Sequence, residues 1–335
     1  MVSHFTTFIL GKMSVDKKYL FVNNKSDNQS GGNIYNAKIM ECLEKLGLTV
    51  IQTTDVYVKE FKNQGCIIIL DSIIIDENLD LDAYKEEKAY FLIHLWPSFN
   101  NDLDQKRKIK LIQKQKEICE KFNLIFAGEN SKQQCSSFFN GEFKKHFIIP
   151  PGVPEGWNMK KEYANTATKF LMIGNLCVRK RQLEVLDLFS TLNYSINLTL
   201  VGRPDDTSYS IDIFKKINNS NGNLFFHNEL EYFKMNDFIL KYDAIISFSK
   251  EENNSMALIE SLASGIPIIT TPTGNYRIYE NHNVGFVLGG FEVSYLNDAI
   301  VKMHTDSVFF KHQCCSARIF KVNSWIESSV IYLEL

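Results

Sequence analysis

The chain has 335 residues and a formal net charge of -2. At roughly 100–200 residues per domain this length favours two domains. Apolar residues make up 44% and charged residues 23%, a balance that lets the chain bury sizeable cores and excludes a disordered polymer. The near-neutral charge excludes a generic nucleic-acid binder.

The first segment, Met1 to Leu20, is interrupted by His4, Lys12, Asp16 and Lys17. It has no long apolar stretch and no small-residue cleavage site, so no signal peptide is expected. Seven cysteines (Cys42, Cys66, Cys119, Cys135, Cys177, Cys314, Cys315) contain no Cys-x-x-Cys spacing. They read as free thiols in a reducing cytoplasm. Apolar runs such as Cys66–Leu70 are far too short to span a bilayer.

In chain order, Tyr19–Val22 is a predicted strand, followed by a polar loop Asn23–Gly32. Asn33–Leu46 has Ile34, Ala37, Met40, Leu43 and Leu46 near one face, a helical period, with Gly47 as its C-terminal stop. Thr49–Thr53, Cys66–Leu70, Tyr90–His94, Leu124–Ala127 and Phe147–Ile149 are further predicted strands. Their uniformly apolar character suits parallel strands covered on both faces. Between them, Gln105–Lys116 carries Lys106, Arg107, Lys108, Lys110, Lys114 and Lys116 among Ile109, Leu111 and Ile112. Such a basic amphipathic helix either lies on anionic lipid or is a solvated face packed by its apolar residues.

Ile148-Ile149-Pro150-Pro151-Gly152-Val153 is a stiff turn and marks the expected domain boundary. The pattern then restarts with strands at Phe170–Ile173, Leu198–Val201, Leu224–Phe226, Ala244–Phe248 and Ile266–Thr270. Gln182–Leu192 and Leu258–Ser264 read as helices. Two βα series, each with a glycine-bearing turn after its first strand, predict a doubly wound α/β fold in each half.

The richest constellation is Ser249-Lys-Glu-Glu252-Asn-Asn-Ser-Met-Ala-Leu-Ile-Glu260-Ser-Leu-Ala-Ser-Gly265-Ile-Pro267. It joins an apolar strand to a helix and then to the next strand, and ligands of open α/β sheets bind at the carboxyl ends of strands. Glu252 is therefore expected at the mouth of a cleft. Residues 253–257, with Ser255 among them, should form a helix N-terminus whose N–H groups suit phosphate oxygens and sugar hydroxyls. Glu260, about two helical turns later, can accept hydrogen bonds from a ribose diol.

At these residues the sequence resembles the family 4 retaining glycosyltransferases of the GT-B fold, marked by two glutamates separated by seven residues and a small-x-Gly-x-Pro turn. The resemblance implies that Glu252 contacts the transferred sugar, that the backbone of Met256, Ala257 and Leu258 meets sugar and diphosphate, and that Glu260 holds the ribose. Gly174-Asn-Leu-Cys-Val-Arg179-Lys180 occupies the place of the family's cationic loop, with Lys180 as the diphosphate cation. Asn175 stands for the family's usual arginine and Arg181 for its usual glycine, so Arg179 is the candidate replacement cation. Fixed cations there would stabilise a leaving nucleoside diphosphate. Asn228, Glu229 and Leu230 fall where relatives contact the base. Gly274-Asn275 and Gly285-Phe286 fit later turns, while Ile278 replaces a usual glutamate. In the first half, Gly31-Gly32 matches a pair facing diphosphate and acceptor, and His94 matches a histidine near the reacting sugar. No residue set has metal-ligand spacing, and the family needs no obligatory metal and no cofactor beyond its co-substrate.

The expected architecture is a GT-B pair of Rossmann-like domains: residues 1–152 on the acceptor side, 153–322 binding the nucleotide-sugar, and 323–335 returning to the first domain. The expected reaction moves a hexosyl unit from a nucleotide-sugar, a UDP-sugar by preference, to a glycan or lipid-linked acceptor hydroxyl with retention. The expected setting is the cytoplasm or the inner face of a membrane. Composition rich in Asn, Lys and Ile suits an AT-rich bacterial or viral genome and glycoconjugate assembly. A GT-B nucleotide-sugar epimerase and a non-catalytic GT-B scaffold subunit are the alternatives. No carboxylate nucleophile is foreseen in the first half.

Overall fold

The computed structural model describes residues 17–23, 30–54, 61, 64–85, 88–99 and 103–335. The reading of the N-terminal segment as free of a signal peptide lies almost wholly outside these residues, as does most of the loop after the first strand.

Six strands form the first sheet: β1 (Lys18–Val22), β2 (Thr49–Thr53), β3 (Ile67–Asp71), β4 (Ala89–Ile93), β5 (Asn123–Phe126) and β6 (His146–Ile148). Their order is β2-β1-β3-β4-β5-β6, and every pairing is parallel, for example Leu20 opposite Ile51 on one side and Ile68 on the other. Helices α1 (Gly31–Lys45), α2 (Gln105–Lys121) and α3 (Glu129–Cys135) connect them. The second sheet contains β7 (Lys169–Ile173), β8 (Asn197–Val201), β9 (Leu224–His227), β10 (Ala244–Ser247), β11 (Ile268–Thr270) and β12 (Gly285–Val287), in the order β12-β11-β10-β7-β8-β9. Its helices are α4 (Gln182–Thr191), α5 (Thr207–Asn218), α6 (Tyr232–Ile239), α7 (Met256–Ala263), α8 (Tyr276–Asn281), α9 (Val293–Thr305) and α10 (Ser307–Ile319). The doubly wound α/β expectation is met in both halves.

The apolar strands are buried on both faces. In the first sheet, Leu20, Val22, Phe91 and Phe126 enter one core while Tyr19, Phe21, Tyr90 and Ile125 enter another. The second sheet divides Phe170, Met172 and Ile246 from Leu171, Ile245 and Ile268 in the same way. The period of two along a strand turns a continuous apolar run into two cores.

Several ends differ from the sequence reading for local reasons. Gly31 and Gly32 are not loop residues: the Ser30 side chain accepts from Asn33 N–H at 3.2 Å and starts α1 two residues early. At its other end Gly47, at φ +83, donates to Glu44 while Leu48 donates to Leu43, a Schellman stop that a left-handed glycine permits. β11 begins after Pro267 rather than at Ile266, since proline has no N–H to pair.

The chain passes between the sheets near residue 152 and returns beside the same point. Val153 N–H donates to Asn323 and Trp325 N–H to Val153. A Cβ on Gly152 would sit 2.5 Å from the Ser324 backbone, so only glycine fits. The returning helix α11 (Trp325–Val330) starts with a reciprocal Ser324–Glu327 capping box. Trp325 and Tyr332 then join the core of the first sheet, and Tyr19 Oη donates to the Tyr332 carbonyl at 2.8 Å. Trp325 is 3% exposed and lies edge-on to Tyr35. Replacing it by alanine should cost roughly 3–5 kcal/mol, read as a lowered urea midpoint. An unchanged midpoint would show that the returning segment contributes nothing to the first domain's stability.

Candidate functional site

The strand orders place a reversal between β1 and β3 in the first sheet and between β7 and β10 in the second. Loops leaving the carboxyl ends of strands open a crevice at such points. Here the loops of both sheets line one cleft of about 620 Å³.

From the first sheet come Gly31, Gly32, Asp71, Ser72 and His94; from the second come Gly174, Asn175, Arg179, Lys180, Glu229, Leu230, Tyr232, Glu252, Ser255, Met256, Ala257 and Glu260. Asn228 is exposed outside the cleft. Leu258 turns its side chain into the core beneath, so it can offer the cleft only backbone. Arg181, Asn275 and Ile278 do not line the cleft.

Glu252 lies against two cations. Lys180 Nζ donates to its Oε1, and Arg179 Nη1 approaches the same oxygen at 3.4 Å. Arg179 also donates to the Glu251 carbonyl at 2.6 Å, and Lys250 N–H donates to the Arg179 carbonyl. The cationic loop and the Glu252 loop are thereby stitched together. Burial opposes ionisation of Glu252, but Lys180 and Arg179 outweigh it and hold the carboxyl at about 2. Gly174, at φ +146, lets Lys180 cross it: a Cβ there would lie 3.1 Å from the Lys180 side chain.

Asn175 donates to Asp205 at 2.5 Å, and Asp205 also pairs with Arg203. This residue is an amide engaged with a neighbouring acid and carries no charge for a phosphate, which leaves Arg179 and Lys180 as the cations of this loop facing the cleft. Arg181 takes φ 58, the left-handed region, where its Cβ is strained. Stacking over Phe248 at 4.1 Å and bonds to Glu184 and the Phe291 carbonyl hold it there.

Glu260 corrects the picture of an ionised ribose acceptor. It is 3% exposed, among the described residues no cation pairs with it, and burial pushes its carboxyl up to about 8. Below that pH the protonated form is favoured, which adds an O–H donor beside its remaining acceptor capacity.

On the opposite wall, Gly32 packs on His94: a Cβ would lie 3.3 Å from its ring. A Cβ on Gly31 would likewise lie 3.3 Å from the Met256 side chain of α7. His94 Nε2 is 3.2 Å from Asn36 Oδ1, and its backbone N–H donates to Ser72 Oγ at 3.1 Å. Asn36 Nδ2 donates to Asp71 Oδ2, while Asp71 Oδ1 accepts from Ile73 N–H at 2.9 Å. A carboxylate only accepts, so the Asn36 amide is oriented with its oxygen toward His94, and neutral His94 carries its proton on Nε2. Burial lowers the His94 pKa and Asp71 partly opposes this. Neutral imidazole is the favoured form.

Asp71 and Asn36 escaped the sequence reading, which foresaw no carboxylate nucleophile in the first half. Asp71 was legible only as an acid closing an apolar strand; Asn36 looked like a polar position on a helix. Tyr232, in the cleft lining, carried no motif signal, and Asn253, also in the lining, was expected to contribute only its backbone N–H.

The opposed pKa of Glu260 yields a sign that can be measured. Its ordinary value is 4.5 and its folded value about 8. Between them the native state keeps a proton that the unfolded chain has released, so stability should fall as pH rises through this window. Glu260→Gln should remove that fall in thermal melts from roughly pH 4 to 9. A wild-type pH slope in the variant would mean that Glu260 is ionised in the fold.

Residues 155–314 match the family model described as glycosyl transferases group 1. No curated protein matches the chain. Among solved structures, sucrose-phosphate synthase from Thermosynechococcus elongatus superposes with a TM-score of 0.78 at 12% identity, covering 95% of this chain and 98% of that one. WaaG, a glycosyltransferase involved in lipopolysaccharide biosynthesis, gives 0.74 at 14% identity over 94% and 98%. Anabaena HepE in complex with UDP-glucose gives 0.73 at 13% identity over 95% and 99%. The chain thus has the two-domain GT-B fold of these glycosyltransferases, and its second half is similar to the group 1 glycosyl transferases.

Proposed function

We propose that this chain is a retaining glycosyltransferase that moves a hexosyl unit from a nucleotide-sugar, by preference a UDP-sugar, to an acceptor hydroxyl in glycoconjugate assembly. One observation carries the reading: the ion-paired Glu252, Lys180 and Arg179 face His94 and Gly32 across a single cleft. The group 1 match over the second half supports the donor assignment, and the HepE structure with UDP-glucose supports the choice of base.

In this mechanism Lys180, Arg179 and the first N–H groups of α7, where Ser255, Met256, Ala257 and Leu258 stand, receive the diphosphate. As the anomeric C–O bond breaks, negative charge grows on the leaving phosphate and these fixed donors stabilise it. The acceptor oxygen bonds to the anomeric carbon on the same face and passes its proton to the departing phosphate oxygen. Glu252 orients the sugar hydroxyls, Glu260 holds the ribose, and Asn175, Glu229 and Leu230 border the nucleotide. His94, neutral and with its proton on Nε2, offers the unprotonated Nδ1 as an acceptor near the reacting sugar. Asp71 is not assigned as a nucleophile, because both its oxygens already accept hydrogen bonds. The diphosphate charge is met by side chains, with no metal or further cofactor in the scheme.

A glycan or lipid-linked acceptor is the proposed partner. The exposed face of α2 presents Lys106, Arg107 and Lys110 around Ile109, which is 52% exposed, a surface suited to anionic lipid. The proposed setting is the cytoplasm or the inner face of a membrane; among the described residues no helix is long and apolar enough to cross one.

Glu252→Ala and Lys180→Ala should each reduce transfer by at least about a hundredfold, the size of a lost oxyanion-type contact, with unchanged circular dichroism. Wild-type turnover in both would overturn the site assignment. A thermal-shift comparison of UDP-, GDP- and ADP-sugars should single out the UDP-sugar, by about 2.7 kcal/mol at a hundredfold excess over Kd. Nucleoside diphosphate should then be released only when acceptor is supplied; release without acceptor, or donor isomerisation, would favour an epimerase instead.

A further inference from the structure

Asn253 is 7% exposed and has no part in the roles above. It follows Glu252 directly, yet both ends of its side-chain amide are committed to the first domain. Nδ2 donates to the His94 carbonyl at 2.6 Å, and Oδ1 accepts from Ser131 N–H at 2.9 Å. A carbonyl only accepts and an N–H only donates, so these partners fix the amide's orientation.

The second bond caps a helix across the domain boundary. α3 starts after Gly128, which has no side chain to cap it, and Ser131 carries one of the first amides that a helix cannot pair internally. Asn253 supplies the missing oxygen from the other domain. Two more bonds run along the same seam: Asn130 Nδ2 to the Glu252 carbonyl at 2.7 Å, and Asn254 Nδ2 to the Ala127 carbonyl at 3.2 Å. The approach depends on Gly128, where a Cβ would lie 3.1 Å from Asn254 Cβ and 3.2 Å from Asn253 Oδ1. Behind the loop, Gly274 at φ +63 leaves room for the Asn253 carbonyl, 2.5 Å from where a Cβ would stand.

We propose that Asn253 is a positioning residue for sugar transfer: it fixes His94 relative to Glu252 by tying the His94 backbone and the start of α3 to the residue beside Glu252. This rests on the site reading above. Aspartate would set an acceptor against the His94 carbonyl, and alanine would leave both that carbonyl and Ser131 N–H without this partner. The bonds join the domains and involve neither the Lys180 and Arg179 cations nor the Glu252 carboxylate, so their loss acts on alignment of the reacting groups and spares donor binding. Misplacement of reacting groups by about 1 Å costs on the order of a hundredfold in rate.

The test uses the full chain with Asn253→Asp, Asn253→Ala and, as a variant that keeps the asparagine, Gly128→Ala. UDP affinity by calorimetry should stay within about twofold of wild type while kcat falls on the order of a hundredfold. The Ser131 amide should exchange with solvent faster in Asn253→Ala and stay near wild type in Asn253→Asp, whose carboxylate can still accept from it. Wild-type kcat in Asn253→Asp or in Gly128→Ala, or a UDP affinity that falls in step with kcat, would overturn the proposal, and unchanged Ser131 exchange in Asn253→Ala would overturn the cap. Glu252→Ala, measured alongside, separates this from the site reading. Loss of transfer there with wild-type kcat in Asn253→Asp rejects the positioning role alone; wild-type kcat in Glu252→Ala rejects both.

Discussion

Parallel pairing is the constraint from which this molecule follows. A parallel strand can be joined to its neighbour only by a crossover that returns the chain to the starting edge. Every described strand of each sheet is parallel to its neighbours, so all carboxyl ends in a sheet gather on one edge. Crossovers cover both faces with helices, which makes the strands apolar throughout. The edge is left as the place where polar side chains can meet a ligand, and the order reversal parts the crossovers there. Asp71 closes its strand, and His94, Lys180 and Glu252 follow strand ends, for this reason.

The cleft then treats two carboxyls of one short segment in opposite ways. Glu260 is buried and the Glu252 side chain is 12% exposed, and desolvation raises the pKa of each. Lys180 and Arg179 reverse that effect at Glu252, while among the described residues no cation does so at Glu260. The segment therefore presents a fixed negative charge at one end and a neutral acid at the other. The first domain repeats the principle with less charge: Asp71 orients Asn36, and Asn36 orients His94. One wall sets charge and the other sets proton position.

The seam between the domains is made of amides. Asn130, Asn253 and Asn254 exchange hydrogen bonds with backbone groups across it, where a neutral donor-acceptor pair escapes the desolvation penalty of a buried ion. Glycines 31, 128 and 152 stand where the facing chain comes closest. These contacts are specific without being strongly apolar, which suits domains that align a site between them.

The sequence by itself determined the α/β class, the two series of parallel strands and the spacing that puts Glu252 and Glu260 on one strand-helix passage. Those are local properties: apolar runs of strand length, helical periodicity and glycine or proline stops act through near neighbours. It also marked Gly32, His94 and Lys180, through the resemblance of the segments that carry them to a known family. Tertiary structure alone decided the charge states, since the ionisation of Glu260 depends on which cations stand nearby and not on its own motif. Only the fold brought Asp71 to Asn36 and Asn36 to His94, across separations of 35 and 58 residues. The same holds for Asn253, an unremarkable polar residue in the sequence, whose partners lie 122 and 159 residues away. A hydrogen bond of that range leaves no periodicity to read, because its geometry comes into being when the two sheets are set face to face.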